Sequence, residues 1–486
     1  MTVSDTSGNW DGVFGSGGTI YLTSGQAGVI GGDDTVDFVS GSTDAASLSG
    51  TGGNWDFVEG NGGTLYFESA QAVVDGGGFT IAFGSGTTNA ATLSNTEGDW
   101  DSVQGSGGTL YLSSGQTEVI GGGYTIDFYS GLGNAAALSN TTSNNWDLVN
   151  GSGGTVYLAN AEAVVAGGGD TVDFLSGSNA ATLSNTGEDW DLVEGSDGTV
   201  YLESANAGVI GGGFTINSVS GSANAVTLGN TGNNWDEVNG SGMAIYLTSG
   251  KGVIAGGGDT VDFVSGSGNA ATLSGSNDDW DFVEGSNGTL YFSNAQAGIV
   301  GGGYTVDIVS GSANAMSLAD TNGNADLVQG SAATIYFDSA QASIVGGAYT
   351  IDFFGGSGNV ASLSNTGGAW DSLTGSNGSV NLDNAQVALS GSGDTLSFSG
   401  ASNSVTQKGA SEAFIFQPTL GVDTISGFNS TDSMQFAASD FANWTALSAD
   451  ISQSGSSTLI KIDASDKVIL TDVLTTSLNA SQFHFS

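Results

Sequence analysis

The chain has no cysteine, no arginine, one proline (Pro418) and one histidine (His484) in 486 residues. No cysteine means no disulfide framework. With its single histidine two residues from the end, a Ser-His-Asp set and a histidine-based zinc site are excluded. Four lysines offer no phosphate-binding basic loop and no grip on nucleic acid, whose backbone is held by Lys and Arg. Against those four stand 49 Asp and Glu, a formal net charge of -45, so the surface repels anionic lipid and attracts cations. No apolar run is long enough to make a transmembrane segment. The start, Met1-Thr2-Val3-Ser4-Asp5, lacks the basic and apolar regions of a Sec-type signal peptide, so export needs another signal. The expectation is a protein that is not an enzyme, because repeated identical carboxylates are architecture and an active site is a unique pocket.

What is present is periodic. Trp followed by Asp recurs at Trp10, Trp55, Trp100, Trp146, Trp190, Trp235, Trp280 and Trp370, with Ala325-Asp326 in the remaining place. Nine copies of about 45 residues therefore run through residues 1–405, the mark of stacked units sharing one core. Short β-branched and aromatic segments are bounded by Gly, Ser and Asn, among 83 glycines in all. Within a copy, Val36-Asp37-Phe38-Val39 matches Trp55-Asp56-Phe57-Val58. This predicts two coils per copy, of 19 and 26 residues, the longer carrying an extra element at Gly28-Val29-Ile30. The expected fold is all-β: a parallel β-solenoid of about 18 coils with two or three strands per turn, its Trp column alternating with Val or Ile in the core. Trp10 and Val13 lie three apart, which breaks strict alternation and predicts a bulge or corner in this element.

Stacking such coils would place Asp11, Asp37, Asp56, Asp101, Asp127, Asp147, Asp173, Asp191, Asp236, Asp262, Asp281, Asp307, Asp326, Asp352 and Asp371 in one file, broken at Ala82, Asn217 and Ser397. Neighbours about 4.8 Å apart would repel by roughly 0.9 kcal/mol even in water. Raised pKa values or bridging calcium ions would relieve this, and the file is the candidate metal site. The alternative is that these aspartates cap turns. A second file alternates Tyr21, Tyr66 and Tyr111 with Ser47 and Thr92, and Thr precedes many strands; such a face suits an adhesin or an ice-binding surface, although no TxT motif repeats.

After Thr406 the period stops. Ala413-Phe414-Ile415-Phe416, Gly421-Val422-Asp423-Thr424-Ile425-Ser426-Gly427-Phe428, Asp432-Ser433-Met434-Gln435-Phe436 and Leu478-Asn479-Ala480-Ser481-Gln482-Phe483-His484-Phe485 follow in order. Residues 406–486, read as a small C-terminal β domain, resemble the secretion domain of RTX-type (hemolysin-like) proteins. The resemblance implies an uncleaved C-terminal signal, the type I secretion machinery as a partner, and an extracellular or cell-surface place in a Gram-negative bacterium. It also implies calcium. The RTX nonapeptide GGxGxDxUx is similar to the segments holding Asp34, Asp170 and Asp259, with Asp394 in a less Gly-rich setting; Phe79, Tyr124, Phe214, Tyr304 and Tyr349 occupy the place in the other copies.

The function expected is a secreted structural protein, calcium-dependent and assembling with itself into a filament, surface layer or biofilm matrix. Thr2-Val3-Ser4 resembles Thr92-Leu93-Ser94, so the solenoid begins within a repeat, and a bare strand edge invites head-to-tail contact.

Overall fold

The computed structural model describes every residue except 41–42, 87, 97, 142–144, 222, 401 and 419. The described residues form an all-β parallel β-solenoid of about 22 turns. They divide into two compact units, Met1–Ala244 and Ile245–Ser486. None of their helices is long and apolar enough to cross a membrane.

The first unit opens with β1 (Thr2–Ser4), β2 (Asp11–Phe14), β3 (Thr19–Thr23), β4 (Gln26–Ile30), β5 (Thr35–Ser40), β6 (Ala45–Ser49) and β7 (Asp56–Gly60). Each pairs in parallel with the second strand along: β1, β3, β5 and β7 build one sheet, β2, β4 and β6 the other. One turn is therefore two strands, one in each sheet. Inward pairs such as Ile20 and Leu22, Ala27 and Val29, Val36 and Phe38, and Ala46 and Leu48 fill the space between the sheets. Outward positions carry Thr, Tyr, Asp and Ser, which gives the period-two pattern that makes these segments strands.

A 45-residue copy holds five strands, β2 to β6 in the first instance, so it spans two and a half turns. This corrects the expected 18 coils. The Gly28-Val29-Ile30 segment is not an ornament on a long coil; it lies in β4, a full strand of its own sheet. Corner hydrogen bonds link residues 16, 19 and 22 apart, which are the true turn lengths. The odd strand count also sends the Trp-Asp strand to alternate sheets. β2 belongs to one, β7 to the other, and Asp101–Gly105 returns to the sheet of β2.

Buried side chains fasten each corner to the corner one turn away. Asn89, Asn134, Asn179, Asn224, Asn269, Asn314, Asn359 and Asn403 each use Oδ1 to accept a backbone N–H 18 or 19 residues upstream, at 2.8–3.1 Å. Asp44 does the same for Gly25 at 2.6 Å. Thr96, Thr186 and Thr321 accept the N–H of Gln116, Asn206 and Gln341 on Oγ1. Asn224 also donates through Nδ2 to the Ser220 carbonyl and to Ser218 Oγ. Asn224→Ala leaves the buried Ala205 N–H without its acceptor and removes both Nδ2 contacts, and is expected to cost roughly 2 kcal/mol or more in chemical denaturation. An unchanged midpoint would show that the corner does not depend on this side chain.

The parallel pairing runs through residue 405. Ser404–Gln407 pairs with Gln386–Ser392 behind it and Val422–Ser426 ahead. Ala413–Phe416 lies likewise between Thr395–Ser399 and Ser433–Phe436. The segment whose sequence departs from the repeat thus supplies further turns of the second unit. Phe398, Phe416 and Phe436 stack at 4.8 Å per step, and Phe441 closes the ladder edge-on at 5.5 Å. A hairpin of Ile451–Ser454 and Ser457–Lys461 leaves the stack, and the chain returns with Lys467–Thr471 in parallel on Val422–Ser426. The α-helix α1 (Trp444–Ala449) is capped by Asn443, and Trp444 packs on Phe483 with ring centroids 5.0 Å apart.

Candidate functional site

The fifteen aspartates do not form one file. Strand register pairs Val36 with Val58 and Asp37 with Glu59, so Trp55 is not the counterpart of Val36. The Trp-Asp strand begins at its Asp, and Trp belongs to the preceding corner. The side chains of Asp56, Asp101, Asp147, Asp191, Asp236, Asp281, Asp326 and Asp371 therefore point inward and are buried. Asp37, Asp127, Asp173, Asp262, Asp307 and Asp352 sit at outward, half-buried positions, and Asp11 is exposed. Asp56 neighbours Ala72, whereas Asp37 lies between Tyr21 and Glu59. The mutual repulsion invoked for a calcium ladder is thus divided between two environments. The repulsion argued for a single file does not apply to this register, in which Asp56 neighbours Ala72 and Asp37 neighbours Glu59; among the described residues no group of three or more His, Cys, Asp or Glu is placed to hold a metal ion.

The inward set caps corners. Oδ1 of each accepts the N–H of a residue 21 to 23 positions upstream: Asp34, Phe79, Tyr124, Asp170, Phe214, Asp259, Tyr304 and Tyr349, at 2.9–3.1 Å. Oδ2 of Asp281 accepts from Ser276 Oγ at 3.0 Å. In Asp56, Asp101, Asp147, Asp191, Asp236, Asp326 and Asp371 the buried Oδ2 has no protein partner. Loss of solvent outweighs the backbone N–H and lifts Asp101, Asp147 and Asp191 to about 7, and Asp56, Asp236, Asp281, Asp326 and Asp371 to about 6. Asp34, Asp170 and Asp394, candidates by the RTX resemblance for the Asp of the nonapeptide roll, are buried and accept the N–H of Gly18, Gly154 and Gly378 at 2.8–2.9 Å. The backbone N–H of Asp259 is itself held by Asp281. Near the C-terminus the same device persists: Glu412 accepts from the Asp394 N–H and Asp432 from the Glu412 N–H.

The outward faces carry a different recurring feature. The Trp rings expected in the core are on the outside, and those of Trp10, Trp280 and Trp370 are 44, 38 and 44% exposed. Several of the Trp rings reach along their sheet to a Tyr of the next copy. Trp10 meets Tyr66 at 5.8 Å, Trp55 meets Tyr111 at 6.1 Å, Trp100 meets Tyr157 at 6.0 Å, Trp146 meets Tyr201 at 6.2 Å and Trp280 meets Tyr336 at 6.2 Å. Ser47 does lie beside Tyr66 and Thr92 beside Tyr111, but the expected alternating file does not form: Tyr21 lies beside Asp37, and the next neighbour of Tyr66 is Ala82.

A third wall comes from the end of the β5-type strand. There the register skips one residue, since Leu22 faces Phe38 but Thr23 faces Ser40. The skipped residue turns outward: Tyr129, Leu175 and Phe354 are 74, 56 and 75% exposed. Tyr129 and Phe354 meet Tyr111 and Tyr336 edge-on at 6.3 and 6.5 Å. The result is an open cleft of about 270 Å³ lined by Trp55, Val73, Thr92, Tyr111 and Tyr129. Its counterpart on the other sheet, about 360 Å³, is lined by Trp100, Glu118, Ala137, Tyr157 and Leu175. Sequence reading overlooked this third wall, although its signal was there: an extra apolar residue after the inward Phe, as in Ile126-Asp127-Phe128-Tyr129.

The aromatic partners are lost together. Where Ala325 replaces Trp, the residue in the place of Tyr is Asn381, three strands away on the same sheet, and it bonds Ser362 instead. The Thr rows are short. Thr19 stacks on Thr35, but the next strand offers Phe57; Thr109 stacks on Thr125, but the next offers Leu148. A flat Thr array for ice is therefore interrupted at each Trp-Asp strand. No protein-family model matches the chain, and no curated protein matches it.

Proposed function

We propose that this chain is an extracellular structural repeat protein of a Gram-negative cell surface or matrix, exported by type I secretion machinery and adhesive through its aromatic clefts. The observation that carries this reading is the recurrence of one cleft on both sheets, while the interior is packed with apolar side chains and its buried Asn and Asp fasten the corners. A repeated identical site suits many weak simultaneous attachments rather than one catalytic event. The C-terminal segments that resemble an RTX secretion domain support the route of export, as does the absence of cysteine.

Export is tested by producing the full chain in cells with and without a type I transporter. Appearance in the medium only when the transporter is present is the expected result. Equal retention in both strains would overturn the proposed route.

A further inference from the structure

We infer that the aromatic clefts are docking sites for the ammonium and guanidinium groups of a basic polypeptide. This rests on the adhesive reading above and names its partner.

Three observations converge on a cation. The first is the aromatic surface. Tyr129 and Phe354 offer ring faces that are three-quarters exposed, beside Trp–Tyr pairs whose rings stand tilted to one another at 55 and 52°. Tilted rings leave faces open, and the π face of Trp or Tyr attracts a cation placed within about 6 Å.

The second is the placement of carboxylates. Glu118 lies in the lining of the Trp100 cleft itself. The outward neighbour of Tyr111 in the next turn is Asp127, that of Tyr157 is Asp173, and that of Tyr336 is Asp352. Adjacent outward positions lie about 4.8 Å apart. A cation on the ring face thus has a carboxylate within reach, the combination that holds alkylammonium and guanidinium groups.

The third is that, among the described residues, the two clefts hold no basic side chain of their own. The chain has no arginine and four lysines. Formal charge of -45 draws basic partners towards the surface from a distance. A neutral polysaccharide would use the ring faces but gain nothing from that field or from the carboxylate beside each Tyr.

The purified full-length protein is titrated with decalysine while tryptophan emission is followed, with fully N-acetylated decalysine and cellohexaose as neutral probes. Decalysine is expected to shift the emission with an affinity that falls steeply with salt, and the neutral probes to leave it unchanged. Diffuse attraction to an acidic surface is separated from cleft binding by Tyr111→Ala/Tyr157→Ala/Tyr336→Ala, which keeps the net charge. It is expected to weaken decalysine at least about tenfold. Should that variant fold poorly, Glu118→Gln/Asp127→Asn/Asp173→Asn, at outward positions, is expected to weaken it by a similar factor. Unchanged decalysine affinity in a folded variant of either kind would overturn the proposal, as would a response to cellohexaose alone. Neither outcome bears on the export test.

Discussion

Lowering the pH from 8 to 5 is expected to raise the thermal midpoint of this protein by at least about 5 °C. The cause is the row of inward aspartates. In the unfolded chain they titrate near the ordinary value of 3.8; in the fold, burial lifts Asp101, Asp147 and Asp191 to about 7 and five others to about 6. A carboxyl with a raised folded value binds its proton more tightly when folded. Its contribution is fully present below about pH 3.8 and is lost as the pH rises through 6 to 7. Above that window these groups cause no further loss. A tenfold gain in proton affinity on folding is worth about 1.4 kcal/mol, so several buried sites move the midpoint visibly even after solvent screening is allowed for. The decisive comparison is Asp101→Asn/Asp147→Asn. The amide keeps an acceptor for the Phe79 and Tyr124 N–H groups and cannot ionise. This variant is expected to melt higher than the parent at pH 8 and to respond less to acid. Relief of surface repulsion acts in the same direction, so exposed Asp189→Asn serves as its control. A midpoint that is flat or falling on acidification would remove the buried carboxylates from this account.

Gly167→Ala is expected to destabilise the first unit by roughly 4 kcal/mol or more, against about 1–2 kcal/mol for Gly153→Ala in the neighbouring corner. Both glycines have positive φ, +140° and +71°, a conformation that Gly adopts without the penalty other residues incur. They differ in what a methyl group would meet. At Gly153 nothing lies within 4 Å. At Gly167 the new Cβ would stand 1.6 Å from the Gly151 carbonyl oxygen. That oxygen is backbone in the adjacent turn, so relief requires the two turns to separate. The same contact recurs at Gly31 with Gly15 and, at 1.9 Å, at Gly211 with Gly195. Equal losses for the two substitutions in urea denaturation would show that dihedral preference alone, and not turn-to-turn contact, places glycine here.

The class of fold was legible because the period is long and regular. Alternation in segments such as Thr19-Ile20-Tyr21-Leu22 is that of a strand, and in the fold Ile20 and Leu22 are buried and Tyr21 is exposed. What misled was the likeness of Val36-Asp37-Phe38 to Trp55-Asp56-Phe57. Two Asp residues, each preceding a Phe, face opposite ways because strand parity is counted from the corner, and the corner before Asp56 ends in Trp55. Trp10 and Val13, three apart, already carried the contradiction. The inward Asp was illegible for a further reason. A carboxylate at a core position is penalised by every burial scale, and only the N–H one turn away makes the site tenable. The corner Asn residues were equally unremarked: their partners lie 18 or 19 residues upstream, beyond any local window. The aromatic clefts needed residues of two successive copies brought together, which the register alone reveals.

The odd strand number of the repeat has a consequence for editing the gene. Removing one copy from within the first unit, for instance residues 56–100, would exchange front and back for every later cleft of that unit. Excising two consecutive copies restores the original sides. Chains shortened or lengthened in pairs should therefore keep the two sets of attachment points in phase, and those altered by a single copy should present them transposed.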